Sequence, residues 1–455
     1  MEQKPNIVLI VMDAARAKNF SCYGYPEETS PFIDSLAKEG IKFENCFANA
    51  PWTLPSHWSM FTGKLPNEHG KTDREKRGPI DVETMPEKLS DNGYTTVAIS
   101  NNGYVSSLYG FKDVFDIFEF NAQGLEESQE MLFEDEKLFN ELIEGEKEDR
   151  WESQKHKYTY FLKNFLKRPH PKTIANTLYF LLNKKVFGTE DSWGDDGAEY
   201  TNSYIKKNEP GWEEPYFLFI NYAETHTKYM PPKKYAEKYL RNVSLEEAHD
   251  YADRSSTDYL VEGGDEKAAE VLESLYNGEI NFIDTKIEEL HDTVTGDRDT
   301  VFIVLSDHGD YIGEHGLWGH QARLRKDILH VPAVISGLGS DSIESPFPLR
   351  KINDVVLQAA QGKEPELEEL AAENVFTEYY GIQSNNFSAR DKDLPEEYFR
   401  VQYSVSNQDK MFVLDSEGKA GVYPREESFD SAESLIKDRI GVPRNQVENL
   451  EEIEF

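Results

Sequence analysis

The segment Val301-Phe302-Ile303-Val304-Leu305-Ser306-Asp307-His308-Gly309 joins a hydrophobic run to a carboxylate and an imidazole. Its apolar residues predict a buried strand that ends just before Asp307 and His308. A second run, Asn6-Ile7-Val8-Leu9-Ile10-Val11-Met12-Asp13, also ends at a carboxylate. Ligands of open α/β sheets bind beyond the carboxyl ends of the strands, so Asp13 can converge with Asp307 and His308 although they are distant in sequence.

Further hydrophobic runs alternate with helical patterns along the chain. The predicted strands are 6–12, 95–100, 215–222 and 300–305. The predicted helices are 30–39, one that opens near Pro55, 84–92, and one from about Glu266 to Thr293. This alternation predicts a mostly parallel sheet covered by helices on both faces, which is a three-layer α/β/α arrangement.

Two regions depart from this rhythm. Residues 122–210 are acidic, rich in Lys and Glu and helical in character, and we interpret them as an inserted helical segment. A charged helix is predicted near 365–372, and the strand-rich stretch that follows predicts strands at 399–404, 410–414 and 421–423. We therefore expect a catalytic domain at 1–345 that contains the insertion, and a small antiparallel α+β subdomain at 346–455.

The composition excludes some classes of function. The 455 residues include 85 acidic and 49 basic side chains, which gives a net charge of -36. Such a surface repels nucleic acid and anionic membranes, so we expect neither as a partner. The sequence has no apolar stretch near the ~20 residues of a membrane span and opens directly into a strand, which predicts a cytoplasmic location. Cys22 and Cys46 form no disulfide framework, and the oligomeric state is left open.

Asp13, Asp307 and His308 have the donor types of a divalent-ion site. Two carboxylates and an imidazole are suitable ligands, and a nearby hydroxyl could complete the set. Each residue could instead cap a turn or a helix. The occurrence of both carboxylates at strand ends favours the metal site.

A hydroxyl of this kind occurs in Pro51-Trp52-Thr53-Leu54-Pro55-Ser56-His57. Pro55 is typical of a first helical turn, which places Thr53 at a helix start, where the helix dipole and free amides favour anions. A nucleophilic alkoxide would be stabilised at this position. The alternative is that Thr53 is an ordinary N-cap, with Ser56 three residues later.

Together these segments resemble the sulfatase branch of the alkaline-phosphatase superfamily. Sulfatases have Cys or Ser, any residue, Pro, a small residue and Arg, followed by Thr-Gly, and this chain has Thr53 to His57 with Thr62-Gly63 at the matching offset. Further similar segments are Ser21–Tyr25, Leu65–Gly70, Glu224–Pro232, Ser306–His320 and His330–Pro332. The resemblance covers residue 4 to about 340, and more loosely the tail at 447–450. It implies an alkaline-phosphatase-like sandwich with a C-terminal subdomain.

Three departures from the family pattern affect the expected chemistry. Sulfatases convert the motif Cys or Ser to formylglycine, whereas Thr53 is expected to act unmodified, as in related phosphodiesterases and phosphotransferases that form a phosphothreonine. Ala14 occupies a position where sulfatases commonly have another metal-binding Asp. This leaves Asp13, Thr53, Asp307 and His308 as ligands of one divalent ion: Mn, Mg, Ca or Zn. His57 replaces the motif Arg.

The resemblance also implies roles for other polar residues. His226 aligns with a family His that contacts the transferred group or the leaving oxygen. His320 lies near a family Lys or His that binds the anion or protonates the leaving group. With Thr53 and His57 these residues form the expected catalytic set, and Lys64 and Asn102 are candidates for substrate binding.

These features predict a metal-dependent hydrolase or transferase that acts on phosphate or sulfate esters of a small molecule or a glycan. Thr53 is the expected covalent nucleophile, and phosphoester chemistry is preferred. One alternative is a sulfatase that works without formylglycine. Another is a noncatalytic homologue that binds an anion or a glycan.

Overall fold

The computed structural model describes residues 4–73, 75–78, 80–121, 193–296, 299–320, 323–381, 396–417, 419–423 and 435–436. Its strands up to residue 348 are β1 (Asn6–Met12), β2 (Ile41–Phe43), β3 (Cys46–Phe47), β4 (Thr95–Ser100), β5 (Ile117–Phe120), β6 (Tyr216–Tyr222), β7 (Thr300–Leu305), β8 (Tyr311–Ile312), β9 (Trp318–Gly319), β10 (Ala333–Ser336), β11 (Asp341–Ile343) and β12 (Phe347–Pro348). Eight of these form one sheet in the order β11-β2-β10-β7-β1-β6-β4-β5.

Strand β1 lies between β6 and β7 and is parallel to both. Strands β4 and β5 continue the parallel arrangement, whereas β10 is antiparallel to its neighbours β7 and β2. All seven residues of β1 are buried, as expected for a strand that is covered on both faces. The predicted mostly parallel sheet is confirmed.

Helices cover both faces of this sheet. The helices are α1 (Pro31–Glu39), α2 (Thr53–Thr62), α3 (Pro66–His69), α4 (Met85–Asp91), α5 (Ala198–Asn208), α6 (Lys233–Tyr239), α7 (Leu245–Ala252), α8 (Ser256–Glu262), α9 (Glu266–Val294), α10 (Lys326–Leu329), α11 (Ile352–Ala360) and α12 (Leu367–Leu370). Ile7 and Leu9 of β1 pack with α2, α4 and α11, whereas Val8 and Ile10 pack with α1, α5 and α9. This alternation along β1 produces two apolar cores and confirms the three layers.

Most predicted boundaries are confirmed to within two residues. Helix α1 begins at Pro31 and ends before Gly40, and α9 ends at Val294, one residue after the predicted end. The helix predicted to open near Pro55 begins at Thr53. The helix predicted at 365–372 is shorter, because the N–H of Ala372 donates to the carbonyl oxygen of Pro346 and the chain leaves the helix there.

A second, four-stranded antiparallel sheet follows the main one. Its strands are β13 (Val375–Tyr379), β14 (Gln402–Ser406), β15 (Met411–Asp415) and β16 (Ala420–Tyr423), in that order. The predicted C-terminal antiparallel unit is thus confirmed. It is bonded to the main body through Thr377, whose Oγ1 donates to the carbonyl oxygen of Ala48. The boundary between 345 and 346 stays a prediction.

The predicted insertion at 122–210 falls largely on residues 122–192, which lie outside the described part of the chain, as does the tail at 447–450. Its last portion contains α5, which packs on α9, and Asn202 Nδ2 donates to the carbonyl oxygen of Lys286. Among the described helices, none combines the length and the apolar character needed to cross a bilayer.

Candidate active site

Asp13, Asp307 and His308 meet at the carboxyl edge of the main sheet. Asp13 directly follows β1, and the other two residues follow the adjacent strand β7. His308 Nε2 lies 3.7 Å from Asp13 Oδ1 and 3.4 Å from Asp307 Oδ2. One ligand atom from each of the three lies within 4.8 Å of the others, and all three side chains are fully buried.

The donor atoms of this cluster fit a divalent cation. His308 Nδ1 lies 2.9 Å from the carbonyl oxygen of Gly309, which can only accept, so Nδ1 carries the proton and Nε2 presents a lone pair. Burial lowers the pKa of His308 to about 3, which favours this neutral form. Within the described part of the chain, Asp13 Oδ1 and Asp307 Oδ2 are buried without a hydrogen-bond partner. A cation would satisfy all three electron-rich atoms.

Backbone groups hold the other oxygen of Asp307. Its Oδ1 accepts from the N–H of Ala14 at 3.2 Å and from the N–H of His308 at 2.9 Å. Ala14 has a φ of +61°, and its carbonyl oxygen accepts from Tyr276 Oη at 2.8 Å. The turn after β1 therefore orients Asp307 through the N–H of Ala14. The methyl side chain of Ala14 offers no ligand atom.

Two amides hold the other oxygen of Asp13. Its Oδ2 accepts from Asn102 Nδ2 at 2.5 Å and lies 3.4 Å from Asn221 Nδ2. Asn102 was predicted to bind substrate, and the structure places it against the predicted metal ligand. Asn221 was missed by sequence reasoning, although it is the one amide within the otherwise apolar and aromatic strand β6, next to its carboxyl end.

Thr53 is the first residue of α2, and its hydroxyl faces the cluster. Its Oγ1 lies 3.4 Å from His308 Nε2, and the residue is 1% exposed. The N-cap of the helix is Trp52, with extended backbone angles. The alternative that Thr53 is the N-cap is therefore wrong, and its hydroxyl is directed at the predicted metal ligands.

His57 lies one helical turn after Thr53 and is neutral. Its Nδ1 donates to the carbonyl oxygen of Thr53 at 2.9 Å, and its Nε2 accepts from Asn221 Nδ2 at 3.2 Å. Burial lowers the pKa of His57 to about 4. Its ring packs edge-on against three aromatic rings, those of Phe61, Phe111 and Phe219. His57 thus replaces the expected Arg without contributing a positive charge, and its catalytic role stays a prediction.

His226 and His320 lie beside the cluster. The ring of His320 is 4.4 Å from that of His308 and 5.2 Å from that of His226, measured between centroids. His226 Nδ1 donates to the carbonyl oxygen of Thr227 at 2.9 Å, which leaves Nε2 with a lone pair in the neutral ring. The structure therefore brings both predicted histidines to the site.

Asp310 is a buried carboxylate that sequence reasoning missed. Its Oδ1 accepts from His320 Nδ1 at 2.9 Å, and its Oδ2 accepts from Thr227 Oγ1 at 2.8 Å and Tyr229 Oη at 2.5 Å. Burial opposes ionisation, but these bonds and the nearby imidazoles lower the pKa of Asp310 to about 2. Burial likewise opposes the charged form of His320, but Asp310 raises its pKa. The only sequence signal was an acid three residues after Asp307.

Lys64 is the predicted site residue that the structure leaves outside this group. It is exposed and follows Gly63, the C-cap of α2. Thr53 is at the opposite end of this ten-residue helix, roughly 15 Å away along the axis. The position does not favour contact with a group bound at Thr53, and a role in substrate binding stays a prediction.

The sulfatase family model matches residues 5–344 of this chain. The arylsulfatase of Clostridium perfringens is 24% identical over 473 residues, which cover 95% of this chain and 90% of that protein. The choline-sulfatase of Rhizobium meliloti is 23% identical over 354 residues, 74% of this chain. That match spans 63% of the choline-sulfatase, less than two thirds of its length.

Solved structures share the fold. The phosphonate monoester hydrolase of Agrobacterium radiobacter superposes with a TM-score of 0.63 at 15% identity, over 96% of this chain and 94% of that one. At this identity the likeness concerns the fold alone, which is the alkaline-phosphatase-like sandwich with a small antiparallel sheet in the C-terminal region. The match of the family model across residues 5–344 establishes that this chain belongs to the sulfatase family.

Proposed function

We propose that this protein is a metal-dependent hydrolase of phosphate esters in which Thr53 is the covalent nucleophile. One observation carries the proposal: Thr53 Oγ1 lies 3.4 Å from His308 Nε2, the lone-pair atom that also faces the carboxylates of Asp13 and Asp307. The nucleophile and the proposed metal ligands thus share one buried point at the edge of the sheet.

In this proposal Asp13, Asp307 and His308 hold the ion, and Thr53 Oγ1 completes the set. A bound divalent ion would lower the pKa of the Thr53 hydroxyl and neutralise charge on an ester oxygen. The position of Thr53 at the start of α2 adds to this effect, because the positive end of the helix dipole favours an alkoxide. The bond from His57 to the Thr53 carbonyl oxygen fixes the backbone of the nucleophile.

The proton for the leaving group would come from the histidine pair. The Thr53 hydroxyl loses its proton to solvent and Oγ1 forms a bond to phosphorus. The bond from phosphorus to the leaving oxygen breaks, and the protonated ring of His320 or of His226 donates a proton to that oxygen. Asp310 holds Nδ1 of His320 and favours its charged form. Water, or an acceptor alcohol in the case of a transferase, then cleaves the phosphothreonine ester.

The chemistry of Thr53 supports the preference for phosphate. Its β-carbon bears a methyl group, so oxidation would give a ketone and not the aldehyde of formylglycine. An unmodified oxygen nucleophile forms a phosphate ester that water can hydrolyse. The phosphonate monoester hydrolase with the same fold supports reaction at phosphorus within this architecture. We propose a small-molecule or glycan ester as substrate, and a cytoplasmic location stays a prediction.

The test compares nitrophenyl phosphate, bis-nitrophenyl phosphate and nitrophenyl sulfate under identical conditions. We expect turnover of a phosphate ester and a loss on the order of 10³-fold or more in Thr53→Ala, with partial activity in Thr53→Ser. Mass spectrometry of the quenched enzyme is expected to find phosphate on the peptide that contains Thr53. Turnover of the sulfate alone would overturn the phosphoester preference, and full activity of Thr53→Ala would overturn the nucleophile.

A further inference from the structure

A lysine ammonium lies over two aromatic rings beside the candidate active site. Lys76 Nζ is 4.8 Å from the ring centroid of Trp52 and 5.5 Å from that of Tyr104. These two rings contact each other edge to face, with 5.3 Å between their centroids, and the ring of Tyr109 lies 5.2 Å beyond that of Tyr104. Both tyrosines are partly exposed. We call Trp52, Tyr104 and Tyr109 the aromatic corner.

The aromatic corner adjoins the catalytic groups on two sides. Trp52 directly precedes Thr53, the proposed nucleophile. The N–H of Tyr104 donates to Asn102 Oδ1 at 2.7 Å, and Nδ2 of the same amide donates to Asp13 Oδ2 at 2.5 Å. One peptide bond therefore joins the aromatic corner to the nucleophile, and two hydrogen bonds join it to a proposed metal ligand. A substrate bound at Thr53 would extend past these rings.

The segment that carries Lys76 is held on both sides of this lysine. Before it in sequence, Asp73 Oδ2 accepts from Trp52 Nε1 at 3.1 Å. After it, the carbonyl oxygen of Gly78 accepts from Lys71 Nζ at 2.5 Å. These bonds keep the backbone of Lys76 close to the aromatic corner. A lysine that is already held in place loses less conformational freedom when it binds a ligand.

The ammonium of Lys76 has hydrogen-bond donors to offer. Within the described part of the chain, Nζ packs on aromatic faces and forms no hydrogen bond or salt bridge with an oxygen. A ring face attracts the cation, but it is a weaker partner for the three N–H donors than a negatively charged oxygen is. Burial lowers the pKa of Lys76, and the carboxylate of Asp73 opposes this change. A bound anion would favour the charged form further.

We propose that Lys76 binds a second negatively charged group, a carboxylate or a phosphate, on the organic part of the substrate. The inference rests on the proposed function, because it describes another part of the substrate of the same site. The reacting phosphate would lie at Thr53, and the second anion would lie at the lysine beside Trp52. Lysine binds as a point charge with three rotatable donors, so either kind of anion satisfies it.

The test compares three aryl esters with the full-length, metal-loaded protein. They are phenyl phosphate, 4-carboxyphenyl phosphate and 1,4-phenylene bisphosphate, of which only the last two carry a second anionic group. In Lys76→Met, we expect KM to rise about tenfold more for at least one of these two than for phenyl phosphate, because Met keeps an apolar chain on the rings and removes the charge. The ester with the larger rise identifies the anion that the site prefers.

Two further variants control for the change of charge. Lys76→Arg keeps the positive charge and should keep most of the preference for the second anion. Lys112→Met removes an exposed lysine three residues after Tyr109, and it should change KM by less than about twofold for all three esters. An equal rise for the three esters in Lys76→Met, or no rise beyond that of Lys112→Met, would overturn the proposal.

Calorimetry separates this inference from the proposed function, because binding needs no turnover. The ester with the preferred second anion should bind Thr53→Ala about tenfold more tightly than Thr53→Ala/Lys76→Met, and phenyl phosphate should show a smaller difference. Dissociation constants that change by the same factor for both esters would overturn the role of Lys76. Failure of phosphate hydrolysis in the wild type would overturn the proposed function alone and leave this binding result in place.

Discussion

The two sides of the candidate active site differ in where their protons are. On the cluster side, Asp13 Oδ1 and Asp307 Oδ2 have no hydrogen-bond donor among the described residues, and His308 Nε2 presents a lone pair 3.4 Å from Thr53 Oγ1. On the other side, His320 Nδ1 donates a hydrogen bond to Asp310, and its ring centroid is only 4.4 Å from that of His308.

Two neighbouring histidines, whose rings are tilted by 40°, therefore take opposite roles because their Nδ1 atoms have different partners. The Nδ1 of His308 bonds to the carbonyl oxygen of Gly309, and burial lowers its pKa to about 3. The Nδ1 of His320 bonds to a carboxylate, which raises its pKa against the effect of burial. One side suits a cation and the other suits a general acid, so both can act on one ester group.

Removal of the metal tests the side formed by Asp13, Asp307 and His308, and it should have the largest effect on hydrolysis. After dialysis against a chelator, hydrolysis should fall on the order of 10³-fold or more, because Thr53 loses the group that lowers its pKa. Adding back Mn²⁺, Mg²⁺, Ca²⁺ or Zn²⁺ should restore activity in the wild type, and it should not do so in Asp307→Asn. Activity that survives the chelator, with elemental analysis confirming the metal is gone, would contradict the metal-dependent mechanism.

Asp310→Asn tests the opposite side, where Asp310 and His320 are expected to supply the proton for the leaving group. We expect a loss of roughly 10²-fold for alkyl esters and a smaller one for nitrophenyl esters, because only the poorer leaving group needs protonation. His320 must be protonated to act, and Asp310 raises its pKa. The variant should therefore lose kcat/KM at a lower pH than the wild type as the pH rises.

Tyr229→Phe is the matched control for this change, since it removes one donor to Asp310 and keeps the carboxylate. Its pH profile should stay close to that of the wild type. If kcat/KM of Asp310→Asn falls at the same pH as that of the wild type, His320 is not the general acid.

Asn102→Ala tests whether Asn102 supports the metal ligand Asp13 or binds the substrate. Asn102 donates to Asp13 Oδ2, so its loss should weaken metal affinity by about 10- to 100-fold with a modest change in KM. Metal titration of the activity measures the first quantity, and substrate titration at saturating metal measures the second. A large rise in KM with unchanged metal affinity would instead support the substrate-binding role predicted from sequence.

Lys64→Ala should have the smallest effect. Lys64 is exposed at the far end of α2, so kcat and KM should change by less than about twofold. A rise in KM of tenfold or more would instead support the predicted contact between Lys64 and the substrate.

The ends of β1 and β7 and the start of α2 could be predicted from local sequence patterns. Continuous apolar runs predicted β1 and β7, and both end at the carboxylates that converge. The position of Pro55 predicted the helix start that directs Thr53 at the cluster. These inferences succeeded because a strand or a helix start is determined by residues close together in sequence.

The contacts that the site residues make with distant parts of the chain could not be predicted from local patterns. Asn221 contacts both Asp13 and His57, which are 208 and 164 residues away in sequence. The hydrogen bond from Asn102 to Asp13 was likewise not predicted, and the predicted role of Asn102 in substrate binding stays a prediction. Amides and carboxylates of these types are common on surfaces, and a local pattern does not show which distant side chain a buried one contacts.

The amino-acid order by itself determined the parallel sheet, the place of the predicted metal ligands at its edge, the hydroxyl at a helix start and the resemblance to sulfatases. Only the tertiary structure decided that the Nδ1 of His320 donates to Asp310 and that Asp13 Oδ1 and Asp307 Oδ2 lack donors among the described residues. Secondary structure follows from short-range periodicity, whereas burial and the pairing of charges depend on contacts between distant segments.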